Sequence, residues 1–189
     1  MYNNSSFSEC DIMYKIIIIE GLPGVGKTTI LNNIKNRFIE NVNVVNEIIY
    51  KNNNDITQEK FLINDDMKIN LFKDGVIFID RGPISTLSYN EMKNKLIGNS
   101  EYKKVLNYFN NNYKDFYLLP NVYTVYIKTK RRNLIHVDSN NLYKSFEKQE
   151  ILERITLKNI RKYCKNYQVL EYKQKDLENF VNKIIEKYI

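Results

Sequence analysis

Two cysteines and a single histidine are all that the 189-residue chain offers a disulfide or a soft metal. Cys10 and Cys164 form no Cys-x-x-Cys pair, so neither a disulfide framework nor a zinc site is supported, and a reducing compartment follows. His136 is assigned no Ser, Cys or acidic residue as a catalytic partner and is read as incidental. No apolar run approaches the roughly 18 to 20 residues needed to cross a bilayer. The opening stretch MYNNSSFSECDI lacks the apolar core of a signal peptide. The expectation is a cytoplasmic protein away from membranes, with a flexible tail over residues 1–12 and one domain over 13–189. No internal repeat and no domain-sized linker interrupts it. Acidic residues are also in deficit, 22 against 29 Lys and Arg, for a net charge of +7. That balance suits an anionic ligand such as a nucleotide, and equally a nucleic-acid surface, and charge alone does not separate the two.

What is present is concentrated in KIIIIEGLPGVGKTTI, Lys15 to Ile30. Ile16 to Ile19 is a β-branched run of the kind buried on both faces of a parallel sheet. Directly after it, Gly21, Gly26, Lys27 and Thr28 take the spacing GxxxxGK[ST] and open a helix, the context that confirms a Walker A loop. The glycines let successive backbone N–H groups turn inward around an anion, and the first turn of the helix adds its unpaired N–H groups. Gly21, Leu22, Pro23, Gly24, Val25, Gly26, Lys27, Thr28 and Thr29 are therefore the candidate ligands of the ATP phosphates. Lys27 is expected on the β- and γ-phosphates and the Thr28 hydroxyl on Mg²⁺.

The rest alternates in period. A helix is predicted over Thr28–Phe38, a strand over Val42–Val45 ending in Asn46 and Glu47, and a helix of imperfect periodicity over Thr57–Phe72. Val76–Ile79 is a second apolar strand, closing on Asp80, the Walker B arrangement in which a carboxylate at the sheet edge faces Mg²⁺ or its waters. Pro83 begins a helix to about Leu96, and Tyr102–Tyr113 forms another. Strand Val122–Ile127 is followed by Lys128, Lys130, Arg131 and Arg132. A long helix over Leu142–Cys164, a strand Gln168–Leu170 and a helix Lys175–Tyr188 complete the chain. The order predicts an α/β domain, a doubly wound, mainly parallel five-stranded sheet with helices on both faces. Ligands bind such sheets at the carboxyl ends of the strands, where the loop, Glu47, Asp80 with Arg81, and the basic cluster would converge.

A GTPase switch is not supported, for want of a DxxG segment and an NKxD reader. The stretch DRGPISTLSYN discriminates further. Asp80, Arg81, Ser85, Tyr89 and Asn90 resemble the pattern of the thymidylate kinase family: Asp-Arg, a serine four residues on, an aromatic and a glutamine, here replaced by Asn90. EGLPGVGKTT is similar to that family's loop. The resemblance implies ATP- and Mg²⁺-dependent phosphorylation of a (deoxy)nucleoside monophosphate, with Arg81 on the acceptor's phosphate and Ser85, Tyr89 and Asn90 near its base or sugar. Independently, a guanidinium beside the Mg²⁺ carboxylate can fork onto a phosphate with two parallel hydrogen bonds, or pair only with a neighbouring carboxylate.

The chain also resembles deoxynucleoside kinases, which carry a glutamate after the second strand. Glu47 stands there and could serve as general base toward a 5′-hydroxyl, whereas it would repel a phosphate unless cations intervene. Glu47 thus decides between the two acceptors. NEIIYKNNND lacks the arginine of a second phosphate clamp. Arg131 and Arg132 are the candidates for ATP phosphates in a short lid around 129–150, with a solvated basic face as the alternative. Phe61 either stacks on a base or fills the core. A homodimer is compatible with the sequence, and a non-catalytic nucleotide- or nucleic-acid-binding protein is the reading from a different class.

Overall fold

The four consecutive isoleucines of the first strand organise the molecule. The computed structural model describes residues 14–38, 40–47, 58–72, 74–98, 101–129 and 145–189. Within them run β1 (Tyr14–Glu20), α1 (Lys27–Arg37), β2 (Val42–Val45), α2 (Gln58–Asn70), β3 (Gly75–Asp80), α3 (Pro83–Ile97), α4 (Glu101–Asn112), β4 (Val122–Thr129), α5 (Phe146–Tyr163), β5 (Asn166–Tyr172) and α6 (Leu177–Tyr188). The expected tail, the stretch 130–144 that contains Arg131, Arg132 and His136, and the asparagine-rich segment 52–54 lie outside the described residues.

The strands form one sheet of five in the order β2-β3-β1-β4-β5, every pair parallel. β1 is central, and its side chains alternate between two cores as the two-residue period of a strand requires. Ile17 and Ile19 join Ile30, Leu31 and Ile34 of α1 and Val181 and Ile184 of α6. Ile16 and Ile18 join Leu62 of α2, Ile84 and Leu87 of α3, and Val105 and Phe109 of α4. Burying each such side chain is worth about 1.5–3 kcal/mol, so both faces hold the helices without any special pairing.

Register then fixes the site. Ile19 of β1 is level with Asp80 of β3, and Val45 of β2 is level with Ile79. Hence the Walker A loop, Asp80 and Glu47 leave the sheet at the same edge. Helix α3 starts with Pro83 in its first turn and stops at Gly98, whose N–H donates to the Asn94 carbonyl at 3.0 Å. Helix α5 starts at Phe146, where the Ser145 hydroxyl accepts the Lys148 N–H at 3.2 Å.

The structure corrects one expectation about the basic cluster. Lys128 does not follow β4 but lies inside it, because β5 pairs with β4 as far as Thr129–Tyr172, beyond the apolar run that marks the strand in the sequence. Its ammonium is 3.2 Å from buried Glu153 of α5. Helix α2 also departs from the simple amphipathic pattern. Asn64, Asp65 and Lys68 are buried while Ile63 and Met67 are exposed, which is why its periodicity reads poorly.

Gly75 opens β3 at φ +67, and a Cβ there would sit 2.5 Å from the Asn41 carbonyl oxygen, the acceptor of the Val76 N–H. Both the left-handed backbone and the close approach demand glycine. Gly75→Ala is expected to lower the unfolding free energy by about 2 kcal/mol, read as a fall in the urea midpoint at unchanged slope.

Candidate active site

Lys27 sets the character of the site. It is only 5% exposed, on the first turn of α1, and its ammonium donates to the carbonyls of Gly21 and Leu22, each at 3.1 Å. Burial, reinforced by the Arg81 charge, lowers its pKa to about 7 against the attraction of Asp80, Glu47 and Glu20. A buried cation held only by carbonyl oxygens lacks a full counter-charge, so an anion entering the loop would be strongly favoured. The loop has the shape for one. Gly24 and Gly26 are left-handed at φ 79 and 92. Gly26 caps α1 with no side-chain bond to the first-turn N–H groups. Gly21, at φ +149, brings its backbone so near β4 that a Cβ would lie 2.7 Å from the Ile127 carbonyl oxygen. Leu22 and Val25 are buried and anchor the loop, while Gly24, Thr28 and Thr29 face solvent.

Thr28 Oγ1 donates to Asp80 Oδ2 at 3.0 Å, joining the two motifs. The other Asp80 oxygen, Oδ1, is buried without a hydrogen-bond partner. A hydroxyl and an under-satisfied carboxylate are hard oxygen donors that fit Mg²⁺, which takes one or two protein ligands and completes its octahedron with water and phosphate. No three His, Cys, Asp or Glu side chains cluster as a metal cage among the described residues.

Arg81 follows in a left-handed conformation, φ 58, unusual outside glycine. Its N–H donates to the Ile19 carbonyl at 3.0 Å. Its guanidinium reaches Glu47 at 3.2 Å, Nη1 to Oε1, and the two side chains are 20% and 36% exposed. Ser85 lies in the first turn of α3 and donates its hydroxyl to Glu20 Oε2. Tyr89 is half-buried against the α1 and α6 core. Asn90 is fully buried in the contact between α2 and α3, donating to the Gln58 side chain and, at 2.8 Å, to the Thr86 carbonyl. Phe61 is half-buried on α2. The expected residues Lys27, Thr28, Asp80, Arg81 and Glu47 are thus brought together, Ser85 adjoins them, and Asn90 is turned inward.

Glu20 and Lys68 escaped the sequence reading. Glu20 ends β1 with no exposure, accepting the Gly82 N–H at 3.0 Å as well as the Ser85 hydroxyl. An acid closing a strand buried on both faces was the available signal. Lys68, 6% exposed on α2, donates to the Arg81 carbonyl at 2.8 Å and pairs with Asp65 at 3.0 Å. The broken periodicity of α2 was its only trace.

Burial pushes Glu20 up from 4.5 to about 7, although Ser85, Gly82, Arg81 and Lys68 all pull downward. A carboxyl so raised binds its proton more tightly in the folded chain, so its stabilising contribution is complete below pH 4.5 and is lost as pH rises through 7. Glu20→Gln keeps an acceptor for Gly82 and an amide for Ser85 and does not titrate. Its stability relative to the parent is expected to improve by about 2 kcal/mol between pH 5 and pH 8, measured by urea unfolding. A difference independent of pH would contradict the assignment.

No protein-family model and no curated protein sequence matches the chain. Solved structures do. Thymidylate kinase from Candida albicans superposes with a TM-score of 0.66 at 14% identity, over 92% of this chain and 90% of that one. Deoxyadenosine kinase from M. mycoides gives 0.65 at 17%, over 91% and 97%. A polyphosphate kinase 2 homologue from Pseudomonas aeruginosa gives 0.63 at 12%, over 93% of this chain and 38% of that one. The five-stranded parallel sheet and its flanking helices therefore have the fold of P-loop kinases.

Proposed function

We propose that the chain transfers a phosphoryl group from ATP to a (deoxy)nucleoside monophosphate, with Mg²⁺ as cofactor. The observation that carries the reading is the contact between Thr28 and Asp80 at 3.0 Å beside buried Lys27, since it joins a phosphate cradle to hard-metal ligands. On binding ATP, Lys27 exchanges the Gly21 and Leu22 carbonyls for phosphate oxygens, and the loop N–H groups take the remainder. Thr28 and Asp80 would hold Mg²⁺, which neutralises charge on the transferring group. Arg81 exchanges Glu47 for the acceptor phosphate and forks onto two of its oxygens, aligning it with the donor. The likeness to thymidylate kinase over nearly the whole chain supports this acceptor class.

One observation favours a second reading. Glu47 lies 3.2 Å from Arg81, so a carboxylate already stands where the acceptor would meet its arginine. With a nucleoside acceptor, Glu47 would accept the 5′-hydroxyl proton while Arg81 steadies it, and no like-charge contact arises. The likeness to deoxyadenosine kinase supports that alternative.

One assay separates them: ADP release with ATP, Mg²⁺ and either thymidine or deoxyadenosine, or their 5′-monophosphates. The proposal predicts turnover of a monophosphate, retained in Glu47→Gln and reduced about a hundredfold or more in Lys27→Ala. Turnover of a nucleoside only, abolished by Glu47→Gln, would establish the second reading. Turnover of neither, or indifference to Lys27→Ala, would overturn both.

A further inference from the structure

The backbone of Arg81 is a strained element in the heart of the site, and what holds it is visible. For a residue with a Cβ, the left-handed conformation is strained, and it persists only where the surroundings over-determine it. On one side of the turn, the Arg81 N–H donates to Ile19 and the Gly82 N–H to Glu20. On the other side stands Lys68. Its ammonium donates to the Arg81 carbonyl at 2.8 Å and more weakly to the Asp80 carbonyl at 3.5 Å, and its third partner is Asp65 at 3.0 Å. An ammonium has three protons, and all three are engaged. Two of them take successive carbonyls at the end of β3.

Asp65 is fixed in turn by the Thr86 hydroxyl of α3 at 2.7 Å, so α2, the end of β3 and the start of α3 meet through one buried ammonium. Burial raises the Asp65 pKa, and the Lys68 charge followed by the Thr86 hydrogen bond opposes that rise. A lone lysine buried here would be costly, and the paired arrangement turns that cost into a geometric constraint on its partners.

We propose that Lys68 is a positioning residue for the acceptor arginine: by holding the Asp80 and Arg81 carbonyls it keeps Arg81 left-handed and its guanidinium aimed at the acceptor. It touches neither nucleotide. The kinetic part of this inference rests on the phosphoryl-transfer reading above, and the conformational part does not.

The test is Lys68→Met, which keeps the length and apolar body of the side chain and removes every donor. The expected result is a rise of about tenfold or more in the KM for acceptor, with the KM for ATP within about twofold of the parent. In a crystal structure of the same variant, residue 81 is expected to leave the left-handed region. Where Lys68→Met does not fold, Lys68→Met combined with Asp65→Asn, which leaves no unpaired buried carboxylate, is read by the same two criteria. Proportional losses for both substrates, or no loss for either, would overturn the proposal, as would a residue 81 that stays left-handed. A parent protein without kinase activity would end the functional reading, and the conformation of residue 81 in the variant would then decide the role of Lys68 by itself.

Discussion

Everything at the site depends on β1 and β3 ending level. Because Ile19 pairs with Asp80, the loop after one strand and the carboxylate closing the other leave the sheet together, and Thr28 meets Asp80 at 3.0 Å. The register itself comes from side chains far from any chemistry. Ile16 to Ile19 and Ile77 to Ile79 are buried on both faces, and a slip of one residue would exchange the isoleucines between two differently shaped cores. Two segments more than fifty residues apart therefore share one edge because of packing.

Around that edge the molecule buries charge in an ordered way. Glu20, Lys27, Asp65, Lys68 and Asp80 are all nearly inaccessible to solvent. Each would be prohibitive alone, and three of them have answers in the fold: Glu20 in Gly82 and Ser85, Asp65 in Lys68 and Thr86, Lys68 in backbone carbonyls. Lys27 and Asp80 are answered only in part, by neutral carbonyls and by one hydroxyl. The incompletely compensated pair are the two groups that Mg²⁺ and a triphosphate would complete. Compensation is thus complete at Glu20, Asp65 and Lys68 and partial at the two groups that the proposed chemistry would use.

The fold and the heart of the site were legible because each left a local mark. A four-residue apolar run, a glycine spacing and an aspartate at a strand end are properties of short windows, and β1, β3 and the position of Asp80 at the end of β3 are found where those windows put them. Residues whose roles depend on distant partners left little. Glu20 looks like the last residue of a strand until Gly82 and Ser85, more than sixty positions on, supply its donors. Lys68 looks like solvent-facing charge on a poor amphipathic helix until its partners on β3 are seen. The apolar run stops at Ile127 and so places Lys128 just past the strand, while the strand continues as long as β5 pairs with it. Asn90 matched a motif position, but its side chain is taken by Gln58 and the Thr86 carbonyl, a contact between helices that no spacing announces.

The central claim is that Thr28 and Asp80 form a metal-assisted triphosphate site with Lys27. Calorimetric titration with ATP, with and without Mg²⁺, tests it most directly in the parent and in Asp80→Asn. The account predicts that Mg²⁺ tightens ATP binding to the parent about tenfold or more, and that Asp80→Asn loses this gain while keeping the Mg²⁺-free affinity. ATP binding that is indifferent to Mg²⁺ in the parent, or equally enhanced by it in Asp80→Asn, would contradict it.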